Sequence, residues 1–117
     1  VGGGALAAGA RRGERGGMHV LLWIGGEPGD AALERLAGSV ERAIAGVGAT
    51  VTVRVLHERH VAWCQGCFEC WTHTPGRCRI DDDGPALAAE FVQADAVVLV
   101  TRATCGGYDA RIKGIVD

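Results

Sequence analysis

The chain has no large excess of charge of either sign and no long apolar run, and its first residues do not read as a signal peptide. Twelve Lys and Arg face fourteen Asp and Glu, a net charge of −2. That balance gives no electrostatic reason for nucleic acid or an anionic membrane as a partner. No apolar stretch approaches the ~20 residues that a membrane-spanning helix needs. Ala5 to Ala10 is too short and too weakly apolar for a secretory h-region, and Arg11 and Arg12 follow it rather than precede it. The expectation is a soluble, cytoplasmic protein. What is plentiful is apolar residues at 48%, enough for a core, and glycine at 19 residues. With 117 residues, the length suits one domain and is short for two.

Residues 1–17 are rich in Gly, Ala and Arg, lack apolar periodicity, and are expected to form a disordered extension. The ordered pattern starts at Met18. His19 to Ile24 is a continuous apolar run closed by Gly25-Gly26, which predicts a strand buried on both faces. Asp30 is a good N-cap for a helix whose apolar face is Leu33, Leu36, Ala37, Val40, Ile44 and Val47, ending near Gly46 or Gly48. Ala49 to Leu56 alternates, with Val51, Val53 and Val55 on one side and Thr50, Thr52 and Arg54 on the other. That predicts an edge strand with one wet face. An irregular cysteine-bearing loop follows. Asp81 to Asp83 begin a second helix, the acids suiting the dipole of its first turn, with Leu87, Phe91 and Val92 inward. Ala96 to Thr101 reads as another apolar strand, and a Gly-containing loop from Arg102 to Tyr108 leads to a last helical start at Asp109. Alternation of this kind implies a parallel sheet covered by helices, in the order 2-1-3. That order opens the flavodoxin-like sheet 2-1-3-4-5, so the fold class is α/β, doubly wound and incomplete after three strands.

Four of the five cysteines fall within one short run, Cys64-Gln-Gly-Cys67-Phe-Glu-Cys70-Trp-Thr-His-Thr-Pro-Gly-Arg-Cys78. In a reducing compartment such clusters are more often metal-binding or redox-active than disulfide-bonded. Three readings stay open for this run. Three cysteines spaced by two residues can wrap a face of an iron-sulfur cubane, with a fourth closing it. Four thiolates can hold zinc, although the usual zinc signature is two separated pairs. The loop can also be metal-free with redox-sensitive thiols. His57, His60 and His73 flank it and read as solvated, and Asp81–Asp83 read as capping residues.

The stretches Val20–Gly26, Cys64–Cys78 with Asp81-Asp82-Asp83-Gly84, and Ala96–Tyr108 with Lys113–Asp117 together resemble the flavodoxin-like NAD(P)H-dependent FMN reductase family, including its iron-sulfur flavoprotein branch. The likeness covers residues 18–117 in collinear order and implies a domain cut off after its third strand. By that resemblance, Gly25, Gly26, Glu27 and Asp30 stand in the loop that wraps the FMN phosphate. The loop keeps the glycines but lacks the usual hydroxyl or amide side chains, and it puts two carboxylates where a dianion would lie. Thr101, Arg102, Ala103, Thr104, Cys105, Gly106, Gly107 and Tyr108 stand in the loop that runs along the isoalloxazine ring. Arg102 replaces a common proline there, and Cys105 a common aromatic residue. Cys64, Cys67, Cys70 and Cys78 match the compact [4Fe-4S] motif of the branch.

The resemblance therefore implies FMN-dependent oxidoreduction. NAD(P)H would deliver hydride to the flavin, and a small molecule, a protein or a cluster would accept the electrons. It assigns no acid, base or nucleophile among the side chains, since the chemistry belongs to the flavin. The alternatives are an FMN or iron-sulfur electron carrier without nicotinamide turnover, or a non-functional fragment. The relatives' tendency to dimerise or tetramerise also suggests a homo-oligomer.

Overall fold

The computed structural model describes residues 17–116. Apart from Gly17, the extension expected to be disordered lies outside the described residues. The first strand, β1 (His19–Ile24), is buried over five of its six positions. It can be so apolar because it pairs on both sides. β1 runs parallel to β2 (Thr50–Val55) from His19 opposite Thr50 to Ile24 opposite Val55. It also runs parallel to β3 (Ala96–Val100) from Val20 opposite Ala96 to Ile24 opposite Val100. The sheet order is β2-β1-β3, as the sequence predicts, and helices flank it.

Alternation along β1 sends side chains to opposite faces, and each face has its own core. Leu22 and Ile24 pack with Leu33, Ala37 and Val100 beneath α1 (Ala31–Gly46). Leu21 and Trp23 pack on the other face with Leu56, Leu87, Ala94 and Ile112. The last group comes from α3 (Gly84–Gln93), α4 (Ala110–Val116) and the connecting segments. A fully buried leucine of this kind contributes roughly 1.5–3 kcal/mol of transfer free energy. Trp23 is 1% exposed and lies 5.6 Å from the Phe91 ring. Its indole N–H is buried without a hydrogen-bond partner. Such an orphaned donor costs about 1–3 kcal/mol.

Several apolar positions are more exposed than predicted, among them Phe91, which is 44% exposed although its ring lies against Trp23. Leu36 on α1 is 53% exposed and Val92 on α3 is 68% exposed, because each sits a residue away from the stripe centred on Leu33–Ala37 or Leu87. Val47 lies beyond the end of α1 and is exposed. The wet face of β2 is half covered rather than bare. Arg54 makes a two-pronged ion pair with Glu90 of α3, with Nη2 to Oε1 at 2.8 Å and Nε to Oε2 at 2.9 Å. Thr50 and Thr52 hold the His19 ring between their hydroxyls at 2.8 and 3.0 Å. Within the predicted irregular loop a single helical turn forms, α2 (Glu69–Thr72), entered through Phe68 in the left-handed region. No helix among the described residues is long and apolar enough to cross a membrane.

Candidate functional site

Parallel sheets offer ligand sites at the carboxyl ends of their strands, where neighbouring loops diverge. Here the loops after β1 and β3 meet at that edge. Gly25 N–H donates to the Val100 carbonyl at 2.9 Å, so the two loops leave the sheet side by side. Thr101 Oγ1 accepts from Asp109 N–H at 3.0 Å, which closes the base of the second loop. Above that base, Thr104 and Gly107 exchange backbone hydrogen bonds at 2.9 Å in both directions. Cys105 and Gly106 form the tip with φ of 49° and 80°. Two successive positive φ values make a tight hairpin turn, a conformation that a cysteine adopts at a cost of about 1–2 kcal/mol.

The loops are fastened to each other by charge. Arg102 reaches back to the N-cap of α1, with Nη2 2.8 Å from Asp30 Oδ1. Asp30 also accepts Leu33 N–H at 3.1 Å, the expected capping bond. The Arg102 hydrogen bond, helped by the Leu33 amide, holds the Asp30 carboxyl at a pKa of about 2, below its ordinary 3.8. Arg111, on the first turn of α4, donates to the Gly26 carbonyl and to Glu27 Oε1, each at 2.9 Å. Its hydrogen bond and charge lower the Glu27 pKa. Asp109 accepts Gly26 N–H at 3.1 Å and Arg111 N–H at 2.9 Å, tying the β1 loop to the start of α4.

A flavin has a flat, largely apolar ring and, in FMN, a phosphate, and the two parts meet different surroundings. An open groove of about 490 Å³ lies between α1 and the β3 loop, lined by Ala32, Leu33, Leu36, Thr101, Arg102 and Ala103. Its size is that of small-ligand sites, and its apolar lining with a few polar groups suits a ring. The β1 loop does not suit a phosphate. The helix N-terminus that would attract an anion already holds the Asp30 carboxylate, and the Gly26 N–H is donated to Asp109. Gly25 and Gly26 are explained by internal packing. A Cβ on Gly25 would stand 3.0 Å from Asp109 Oδ1, and one on Gly26, whose φ is +89°, would stand 2.5 Å from Leu33. The adjoining depression of about 210 Å³ is lined by Glu27, Asp30, Glu34 and Glu58 together with His57.

The cysteine segment begins where Leu56 buries itself under the sheet. Its base is pinned by the acidic run. Asp82 accepts Ala62 N–H and Gly84 N–H, both at 2.8 Å, and Asp83 accepts His60 N–H at 2.7 Å. Asp82 and Asp83 therefore hold the loop to the start of α3, but the expected capping is not seen: Asp83 stands at the N-cap without a side-chain capping bond, and no acid lies in the first turn. Trp63 lies against α4, close enough that a Cβ on Gly114 would come within 3.2 Å of its ring. Beyond Trp63 the contacts are local. Phe68 packs on Trp71 at 5.2 Å between centroids. Gly66 N–H and Ile80 N–H each donate to the sulfur two residues earlier, Cys64 and Cys78, at 3.4 Å. All five cysteines are free, and all but Cys70 are exposed. Among the described residues no three His, Cys, Asp or Glu side chains gather closely enough to hold a metal ion. The donor chemistry is that of a cluster or zinc site, but as arranged the four thiols do not form one.

The structure thus brings Gly25, Gly26, Glu27 and Asp30 together with Thr101 and Arg102 at one edge of the sheet, and leaves Cys64, Cys67, Cys70 and Cys78 spread along an exposed loop. The sequence reading missed Arg111 and gave Asp109 no role beyond starting a helix. Their signal was a charged pair at the first turn of the helix after the β3 loop, opposite two acids in the β1 loop. No family model matches the chain, and no solved structure matches it. Among curated proteins the chain is similar to an iron-sulfur flavoprotein of Archaeoglobus fulgidus, 28% identical over 98 residues that cover 84% of this chain and 49% of that protein. The chain spans about half the length of that relative.

Proposed function

We propose that this chain carries part of a flavin-dependent electron-transfer protein, acting in the whole protein as an NAD(P)H-driven oxidoreductase. The observation that carries this reading is the groove between α1 and the β3 loop. It lies at the carboxyl ends of adjacent parallel strands and is lined by Leu33, Leu36 and Ala103 beside the Thr101 hydroxyl. The relative's description as an iron-sulfur flavoprotein supports the same chemistry. In this reading the flavin ring lies against the Thr101–Tyr108 loop, and a small molecule or protein takes the electrons. The flavin supplies hydride and electron transfer. The chain supplies position and surroundings: Thr101 fixes the loop base, and Arg102, paired with Asp30, lines the groove.

The test is the visible spectrum of anaerobically purified protein, followed by NADPH oxidation with a soluble acceptor. Two resolved flavin bands together with turnover are expected. Flavin bands without turnover would make the protein a carrier rather than an enzyme. A colourless protein that takes up no added flavin overturns the reading. Iron and sulfide analysis of the same sample decides whether the cysteine segment gathers on a cluster.

A further inference from the structure

We infer that the β1 loop of this chain selects against phosphorylated flavins, so that the ligand it accepts is a flavin without a phosphate, of the riboflavin class. The inference rests on the flavin reading above and names the ligand of that same groove. Its basis is the way charge and backbone donors are already committed around the loop. Glu27, Asp30, Glu34 and Glu58 line the depression beside the loop, and Asp109 sits behind it, bonded to Gly26 N–H. Against these five carboxylates stand two guanidiniums, and both are engaged. Arg102 is bonded to Asp30, and Arg111 to Glu27 and the Gly26 carbonyl. The Asp30 pKa lies far below neutrality, so that carboxylate stays charged at any working pH.

A phosphate dianion entering this loop meets like charge and finds two of its backbone donors, Gly26 N–H and Leu33 N–H, already donated to carboxylates. Nor do Gly25 and Gly26 hold room open for it, since Leu33 and Asp109 occupy the space that a Cβ on Gly26 or Gly25 would need; only Gly29, further along the loop, faces open space. A neutral ribityl hydroxyl meets none of this repulsion and can bond to the same carboxylates as a donor. The ring groove along Ala32, Leu33, Leu36 and Ala103 is indifferent to whether the tail ends in a phosphate.

The experiment is a parallel titration of the full chain with riboflavin and with FMN, read by quenching of flavin fluorescence at low ionic strength. Wild type is expected to bind riboflavin at least about tenfold more tightly than FMN, with the gap narrowing at ~0.5 M salt as the carboxylates are screened. In the double variant E27Q/D30N the affinity ratio is expected to swing at least about tenfold towards FMN. Asparagine caps a helix as well as aspartate does, while Arg102 and Arg111 lose their charged partners. The double variant R102M/R111M is expected to move the ratio the other way, and it keeps the test open should E27Q/D30N fold poorly. FMN binding more tightly than riboflavin in wild type overturns the inference alone, as does a ratio that neither variant shifts. Binding of neither flavin overturns the flavin reading and this inference with it.

Discussion

The strand-end loops and the cysteine segment are both glycine-punctuated excursions from one sheet, yet they are held in opposite ways. The loops after β1 and β3 are joined by bonds between residues 72 to 85 positions apart in the chain. Beyond its base, the cysteine segment is held by bonds spanning no more than fourteen residues. One region is therefore a product of the whole fold, and the other is a local structure hung from it. Long-range fastening resists rearrangement. Local fastening lets a segment reshape when something binds, and the segment with the scattered thiols is the one free to do so.

Substitutions that test the fastening should separate the two regions most strongly. Gly26→Ala puts a Cβ into Leu33 and a side chain at positive φ, and is expected to lower stability by roughly 2–4 kcal/mol in urea unfolding. Gly76→Ala in the cysteine segment has the same backbone problem but open space around it, and is expected to cost only about 1–2 kcal/mol. Equal losses would erase the contrast. Asp109→Ala removes the acceptor for Gly26 N–H and the cap on Arg111 N–H. A loss of about 1–2 kcal/mol is expected, and an unchanged urea midpoint would show that the cross-loop bonds contribute nothing.

Labelling with a thiol reagent under native conditions sharpens the other side. Cys64, Cys67, Cys78 and Cys105 are exposed and should react quickly, with Cys70 slower. Protection of the clustered thiols that a chelator removes would instead show them gathered on a metal. The smallest effect concerns Asp30. Its folded pKa of about 2 lies below the ordinary 3.8, so its ion pair contributes fully above 3.8 and is lost only as pH falls through about 2. Arg102→Met should return the Asp30 carboxyl towards 3.8 in an NMR titration, short of it by what the Leu33 amide still contributes. A midpoint that stays near 2 would show that Arg102 is not the cause.

Much of the fold was legible because it rests on periodicity. The unbroken run from His19 to Ile24 belongs to the central strand, and the alternation of Val51, Val53 and Val55 belongs to a strand packed on one helix. α2 was not legible. One turn of helix has no period to read, and it depends on Phe68 taking a left-handed conformation beside Trp71. The placement of the strand-end loops followed from topology, and so did the presence of Glu27 and Asp30 in one of them. What neutralises those acids did not. A pairing of Asp30 with Arg102 or of Glu27 with Arg111 exists only once β1 and β3 are side by side. Spacing within the cysteine run suggests convergence, but spacing alone does not bend a loop, and no three of these thiols gather in the structure as described.

The three tryptophans have a practical consequence. Trp23 is sealed in the sheet at 1% exposure, whereas Trp63 and Trp71 are 60% and 74% exposed on the cysteine segment. Indole emission shifts to the red when water surrounds the ring, so the intrinsic fluorescence of this protein has a blue component from the sheet and a red one from the loop. A thiol-directed ligand should perturb the red edge and leave the blue edge alone, and collapse of the sheet should extinguish the blue edge. One spectrum then follows both regions, with no label attached to either.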